Sequence, residues 1–157
     1  EIQTPGYNFR LTDMQCALGL SQFKKLDRFV KRRREIVRQY NEAFRHVAEI
    51  ILPVEKAYAK SAYHLYPIRL RLELLKTGRR TIFEALREKG LGVQVHYIPV
   101  HLLPFYKKTF GYKKGDFPVA EDYYERAITL PLFPAMTPEQ VKSVIRAVRE
   151  VVSRLQV

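Results

Sequence analysis

The chain has 157 residues, 46% of them hydrophobic, and a formal net charge of +12. That length and apolar content suit one folded domain with a real core and exclude a disordered segment. No apolar run nears the roughly 20 residues that span a bilayer, no secretory leader is visible, and the single Cys16 cannot close an internal disulfide, so a soluble cytoplasmic protein is expected.

Glu1 to Leu11 reads as a turn around Pro5-Gly6, and Thr12-Asp13-Met14-Gln15 supplies a capping box for a helix start. From Phe23 the series Leu26, Val30, Arg33, Val37, Tyr40, Phe44, Val47 keeps steps of three and four, with Arg33 its only polar member. The spacing predicts one long helix from Asp13 to His46, on which Cys16 acts as a small hydrophobe. After a break near Pro53, Ile68, Leu70 and Leu72 alternate with Arg69 and Arg71 as in a half-buried strand, with Pro67 at an edge or with its missing N–H directed off the sheet. Thr77 to Lys89 reads as a helix closed by Gly90 in the left-handed conformation, and Leu91 to Val95 as a strand leaving that cap. Pro99 and Pro104 make His96 to Pro104 an ordered loop or a short helical turn. A short helix over Pro118 to Ala127, an extended Thr129 to Leu132, and a last helix capped by Thr137-Pro138 complete the chain. The order predicts an α+β domain: a small, mostly antiparallel sheet covered by helices, with a long amino-terminal helix.

Three clusters carry polar groups that packing alone does not need. Gly6-Tyr7-Asn8-Phe9-Arg10 precedes a helix start, where free amides favour an anion, although an ordinary capping turn accounts for the same residues. Gln94-Val95-His96-Tyr97-Ile98-Pro99-Val100-His101 places an imidazole and a phenol on a proline-braced loop at a strand end. The third is Tyr63-His64-Leu65-Tyr66, where a satisfied core histidine is the plainer reading. Metal chemistry is not expected, since there is no HExxH or cysteine cluster and Pro99 separates His96 from His101. Glycine-rich phosphate loops and GxSxG are absent as well. The run Lys31-Arg32-Arg33-Arg34 reads as a solvated helix face or a contact with an acidic partner. A stand-alone basic domain binding nucleic acid or an acidic protein is the alternative function, and the scatter of the other cations weighs against nucleic acid.

Taken in order, Gly6-Tyr7-Asn8-Phe9-Arg10-Leu11-Thr12-Asp13-Met14-Gln15, Ala62-Tyr63-His64-Leu65-Tyr66, Gly92 to His101, Gly115 to Glu121 and Leu130-Pro131-Leu132-Phe133-Pro134 resemble the DegT/DnrJ/EryC1/StrS sugar aminotransferases. Agreement is strongest with the branch making 4-amino sugars, including the altrosamine transaminases and spore-coat polysaccharide enzymes. The resemblance implies a fold-type-I aminotransferase and, for residues 1–157, its carboxy-terminal small domain. It further implies pyridoxal 5'-phosphate as cofactor of the intact enzyme, glutamate as amino donor, a nucleotide-linked keto sugar as acceptor and a homodimer. The Schiff-base lysine of the family stands upstream of this segment, so the chain is expected to contain no catalytic residue and to be inactive alone. By the same resemblance Asn8 contacts the cofactor phosphate of the partner subunit. Arg10, Gln94, Val95, His96 and Tyr97 face the substrate, and His101 stands behind them.

Overall fold

The computed structural model of the chain describes residues 4, 6, 7 and 9–157. Helices α1 (Asp13–Phe23) and α2 (Leu26–Phe44) lead into β1 (Ile50–Ile51), β2 (Tyr66–Leu70), α3 (Arg79–Glu88), α4 (Pro104–Phe110), α5 (Pro118–Arg126), β3 (Ala127–Leu130) and α6 (Pro138–Arg154). Short 3-10 turns occupy Leu72–Leu74 and Val100–Leu102. The sheet has the order β1-β2-β3 with both pairs antiparallel, Ile50 opposite Leu70 and Tyr66 opposite Leu130. The α+β class expected from the sequence is therefore the one observed.

The core forms where helical and strand periodicities meet. Ile36, Val37, Tyr40 and Phe44 of α2, Ile82 and Leu86 of α3, and Val141, Val144, Val148, Val151 and Val152 of α6 close over Tyr66, Ile68, Leu70, Ile128 and Leu130 of the sheet. Two tyrosines bring hydroxyls into this interior, and each finds an acceptor: Tyr40 donates to the Pro131 carbonyl at 2.8 Å and Tyr66 to Asn41 Oδ1 at 2.6 Å. Burial pushes both phenols well above their ordinary pKa.

Local signals account for most boundaries. Thr12 with Gln15, and Thr137 with Gln140, form complete capping boxes. Gly90 adopts φ +79°, and the bonds from Gly90 N–H to Arg87 C=O and from Leu91 N–H to Leu86 C=O make the helix end a Schellman motif. Helix α4 was not expected, yet Pro104 stands at its start and Gly111, at φ +72°, closes it.

Several expectations differ from the structure. The single helix from Asp13 to His46 is two helices, separated at Lys24-Lys25; α1 buries no residue, and Phe23 and Leu26 are 72% and 46% exposed, so no packing holds α1 collinear with α2. Leu91 to Val95 is not a strand but an extended segment joined to β3 by one bridge, Gln94 to Thr129. Of the two placements expected for Pro67 the edge one does not hold: it lies in the central strand, but beyond the end of β1, whose partners are only Arg69 and Leu70. His64 is exposed rather than core, and Cys16 is exposed too.

The basic run on α2 also differs from a solvated face. Arg33 Nη1 donates to three carbonyls, Tyr63 at 3.2 Å, His64 at 3.1 Å and Leu132 at 2.9 Å. Arg32 reaches the Met136 carbonyl at 2.8 Å. Arg34 forms a two-pronged pair with Glu55, at 2.7 and 2.8 Å, and donates to the Ser61 carbonyl. Together they fasten α2 to the 55–64 segment and to the turn after β3. Tyr63 is held at φ +47°, a left-handed conformation unusual for a tyrosine, with the Arg34 guanidinium 5.4 Å from its ring centre.

The Arg34 guanidinium, helped by the Ser61 N–H at 2.6 Å, holds the Glu55 carboxyl down to about 2, against 4.5 ordinarily. Because the folded value is the lower one, its stabilising contribution is complete above pH 4.5 and is lost as the pH falls from 4.5 through about 2. Thermal midpoints followed over that window should fall more steeply for the native chain than for Glu55→Gln. Arg33→Ala, which leaves several carbonyls without a donor, should cost about 2–3 kcal/mol in urea unfolding. Arg33→Lys should recover only part of that, because its flexible, strongly hydrated ammonium is less fixed in place than the planar guanidinium whose Nη1 makes all three bonds.

Candidate functional site

The His96–Tyr97 loop owes its position to β3. Thr129 pairs with Pro67 on one side, while on the other its N–H donates to the Gln94 carbonyl at 2.8 Å and its carbonyl accepts from the Gln94 N–H at 3.1 Å. Two residues on, His96 Nδ1 shares a 2.9 Å hydrogen bond with the buried Thr129 hydroxyl. The His96–Tyr97 peptide is cis, and the two rings meet edge to face at 4.7 Å. Tyr97 is 75% exposed and projects from the loop.

His96, Tyr97 and Pro99 form one wall of an open cleft of ≈ 650 Å³, and Asp116, Phe117, Pro118, Val119, Ala120 and Tyr123 form the other. The lining is mostly apolar and aromatic, with an imidazole, two phenols and one carboxylate as its polar groups. Such a surface suits stacking against a ring while a few polar contacts fix orientation.

Of the residues the sequence singled out, His96 and Tyr97 share this cleft. Gln94 and Val95 are not among its lining residues; Gln94 acts through its backbone pairing with Thr129. Arg10 is exposed ahead of α1 and does not line the cleft. Asn8 lies outside the described residues. His101 is buried behind the wall, and its Nε2–H donates to Glu121 at 2.8 Å. The Glu121 carboxyl sits below its ordinary pKa because of that bond first and the Gly115 and Phe117 amides after it, against the opposing effect of burial.

Sequence reasoning gave no site role to Thr129, Phe117, Tyr123 or Glu121. For Glu121 a signal existed: an acidic residue in the first turn of a proline-started helix is placed to accept from amides just upstream. Thr129 gave none, since its role depends on a bridge between distant segments. Among the described residues no group of three or more His, Cys, Asp or Glu could hold a metal, and no helix is long and apolar enough to cross a membrane.

The chain belongs to the DegT/DnrJ/EryC1/StrS aminotransferase family, whose sequence profile matches residues 1–149. It is 42% identical over 153 residues to the spore coat polysaccharide biosynthesis protein SpsC of Bacillus subtilis, covering 97% of this chain and 39% of that protein. With the UDP-4-amino-4,6-dideoxy-N-acetyl-beta-L-altrosamine transaminase of Campylobacter jejuni it shares 39% identity over 139 residues, 88% of this chain and 36% of that one. Spr1654 of Streptococcus pneumoniae in its PLP form superposes with a TM-score of 0.88 at 30% identity, covering 100% of this chain and 40% of that chain. A PMP form of the same protein matches with a TM-score of 0.87 at 31% identity, over 98% of this chain and 38% of that chain. The chain thus spans about two fifths of the length of these relatives.

Every lysine is exposed except Lys25, which is half-buried, and none lines the cleft. What the cleft offers is a wall for a ring-bearing ligand.

Replacing the Thr129 hydroxyl by a methyl in Thr129→Val keeps the volume and removes the His96 bond. The expected cost is about 1 kcal/mol, with the His96 ring nitrogen resonances shifted toward those of a solvated imidazole. Unchanged His96 resonances would show that the backbone alone orients the ring.

Proposed function

We propose that residues 1–157 are the carboxy-terminal small domain of a pyridoxal-phosphate-dependent transaminase. In the intact, homodimeric, cytoplasmic enzyme an amino group passes from glutamate to a nucleotide-linked keto sugar destined for surface polysaccharide or glycan. The observation that carries this reading is the coincidence of the family match, which runs through residues 1–149, with the anchored His96–Tyr97 wall.

In this reading the cofactor supplies the carbonyl chemistry and the Schiff-base lysine belongs to the remainder of the enzyme. The residues of this chain bind and orient. Tyr97, Phe117 and Tyr123 present faces and edges to the sugar nucleotide. His96, held through Nδ1 by Thr129, leaves its other ring nitrogen for a ligand oxygen. Gln94 supports that wall through its backbone bridge to Thr129, and Val95 is assigned with it to the substrate side. Asn8 is assigned to the cofactor phosphate of the partner subunit and Arg10 to an anionic group of substrate or donor.

The rival reading, a basic domain for nucleic acid or an acidic partner, is weakened at its densest charge run. Arg32, Arg33 and Arg34 are committed to carbonyls and a carboxylate of this chain. Donors on all three are thereby occupied within the chain, which leaves fewer of them for a phosphate backbone.

Mixing the purified chain with pyridoxal phosphate should give no visible internal-aldimine band and no glutamate-dependent amination. A lysine-dependent band from these 157 residues would overturn the division of labour proposed here. A gel shift with nucleic acid at moderate salt, abolished by neutralising Lys31 to Arg34, would favour the rival.

A further inference from the structure

The two walls of the cleft come from stretches separated by helix α4, yet one buried carboxylate ties them together. Glu121 and His101 are each only 7% exposed. Glu121 Oε1 accepts from His101 Nε2–H at 2.8 Å and from the Gly115 N–H at 2.8 Å; Oε2 lies 3.0 Å from the same amide, and the Phe117 N–H points at Oε1 from 3.4 Å. His101 sits in the turn after Pro99, on the His96 side of the cleft; Gly115 and Phe117 sit in the loop that carries the opposite side. Gly115 holds φ +101°, a conformation that a side chain would strain, and so presents its N–H to the carboxylate. The His101 and Phe117 rings pack with centres 4.7 Å apart, which passes the position of one wall to the other.

An apolar side chain at 121 could fill the same space without desolvating a carboxylate. It could not fix where the His101 and Gly115 donors stand. We infer that Glu121 is a positioning residue: its carboxylate sets the separation of the two cleft walls, and through it the affinity of the His96–Tyr97 cleft for its ligand. The ligand half of this inference rests on the nucleotide-sugar reading of the cleft; the wall-setting half does not.

The test uses the ¹⁵N-labelled chain, Glu121→Gln, Glu121→Ala and, as a control for lost stability, Val152→Ala in the core of α6. Amide exchange at Gly115 and Phe117 is measured first, then a titration with UDP-N-acetylglucosamine is followed at Tyr97 and Tyr123. Loss of charge-assisted bonds at one carboxylate should raise Gly115 exchange by about tenfold or more beyond the global change, displace the His96 and Tyr97 resonances, and weaken the titration by about tenfold. Val152→Ala, at an equal drop in thermal midpoint, should leave the loop resonances in place. If Glu121→Ala does not fold, Glu121→Gln carries the comparison, since it keeps the shape and removes the charge. Gly115 exchange and Tyr97 resonances in Glu121→Gln that match those of Val152→Ala would overturn the inference. A native chain unmoved by the nucleotide sugar would overturn the ligand half, while Gly115 exchange would still decide whether Glu121 holds the walls.

Discussion

Arg33 satisfies main-chain carbonyls that no strand or helix satisfies. The carbonyls of Tyr63, His64 and Leu132 belong to two connections, one entering β2 and one leaving β3, and both converge on one guanidinium projecting from α2. Carbonyls at such junctions are outside any ladder, and leaving them unpaired beside a packed helix is costly. Arg32 and Arg34 extend the same fastening to Met136, Ser61 and Glu55. The entry to β2 and the exit from β3 lie at the same end of this antiparallel pair, and with both strands anchored there to α2 the register of the pair is set against the core, and the site follows from the register.

The dependence is direct. Thr129 is paired with Pro67 on one flank and with Gln94 on the other, and its hydroxyl holds His96. A shift of β3 by one residue would turn the Thr129 side chain to the opposite face of the sheet and release the imidazole. The cleft is thus specified from two directions: β3 fixes the His96–Tyr97 wall, and Glu121, in the helix leading into β3, fixes the facing wall relative to it. Few contacts are involved, and each is buried or part-buried, where a hydrogen bond is costly to leave unmade.

Much of this was legible in the residues. The Thr12 and Thr137 capping boxes, Gly90 as a left-handed cap and the valine stripe of α6 were readable because each depends on neighbours within a turn or two. The α2 stripe was readable too, but extending it back to Asp13 required assuming that periodicity means packing, and α1 buries nothing in this chain. The strand expected at Leu91 to Val95 has strand composition, but a single bridge to β3 is all that the available edge provides. His96 and Tyr97 were recognised by residue type and loop context and do share a cleft, whereas Gln94 acts through its backbone, which a side-chain inventory does not register. Thr129 depends on a contact across 33 residues of chain, beyond the reach of any local pattern, whereas for Glu121 the first-turn position was local and only its partner His101, 20 residues away, was not.

The charge of the molecule takes on a different meaning once its arginines are separated from its lysines. Lysines stand in solvent, with Lys25 alone half-buried. Arginines do internal work: besides Arg32 to Arg34, Arg126 joins Asp122 and Glu73 and donates to the Leu70 carbonyl, and Arg71 caps the Ala48 carbonyl. A guanidinium can bond several acceptors in fixed directions from one side chain, whereas an ammonium is a hydrated point charge. The same net charge of +12 could have described a phosphate-binding surface. Here part of it belongs to a fold with short strands and long connections, in which some loop carbonyls are satisfied by arginines instead of by further strands.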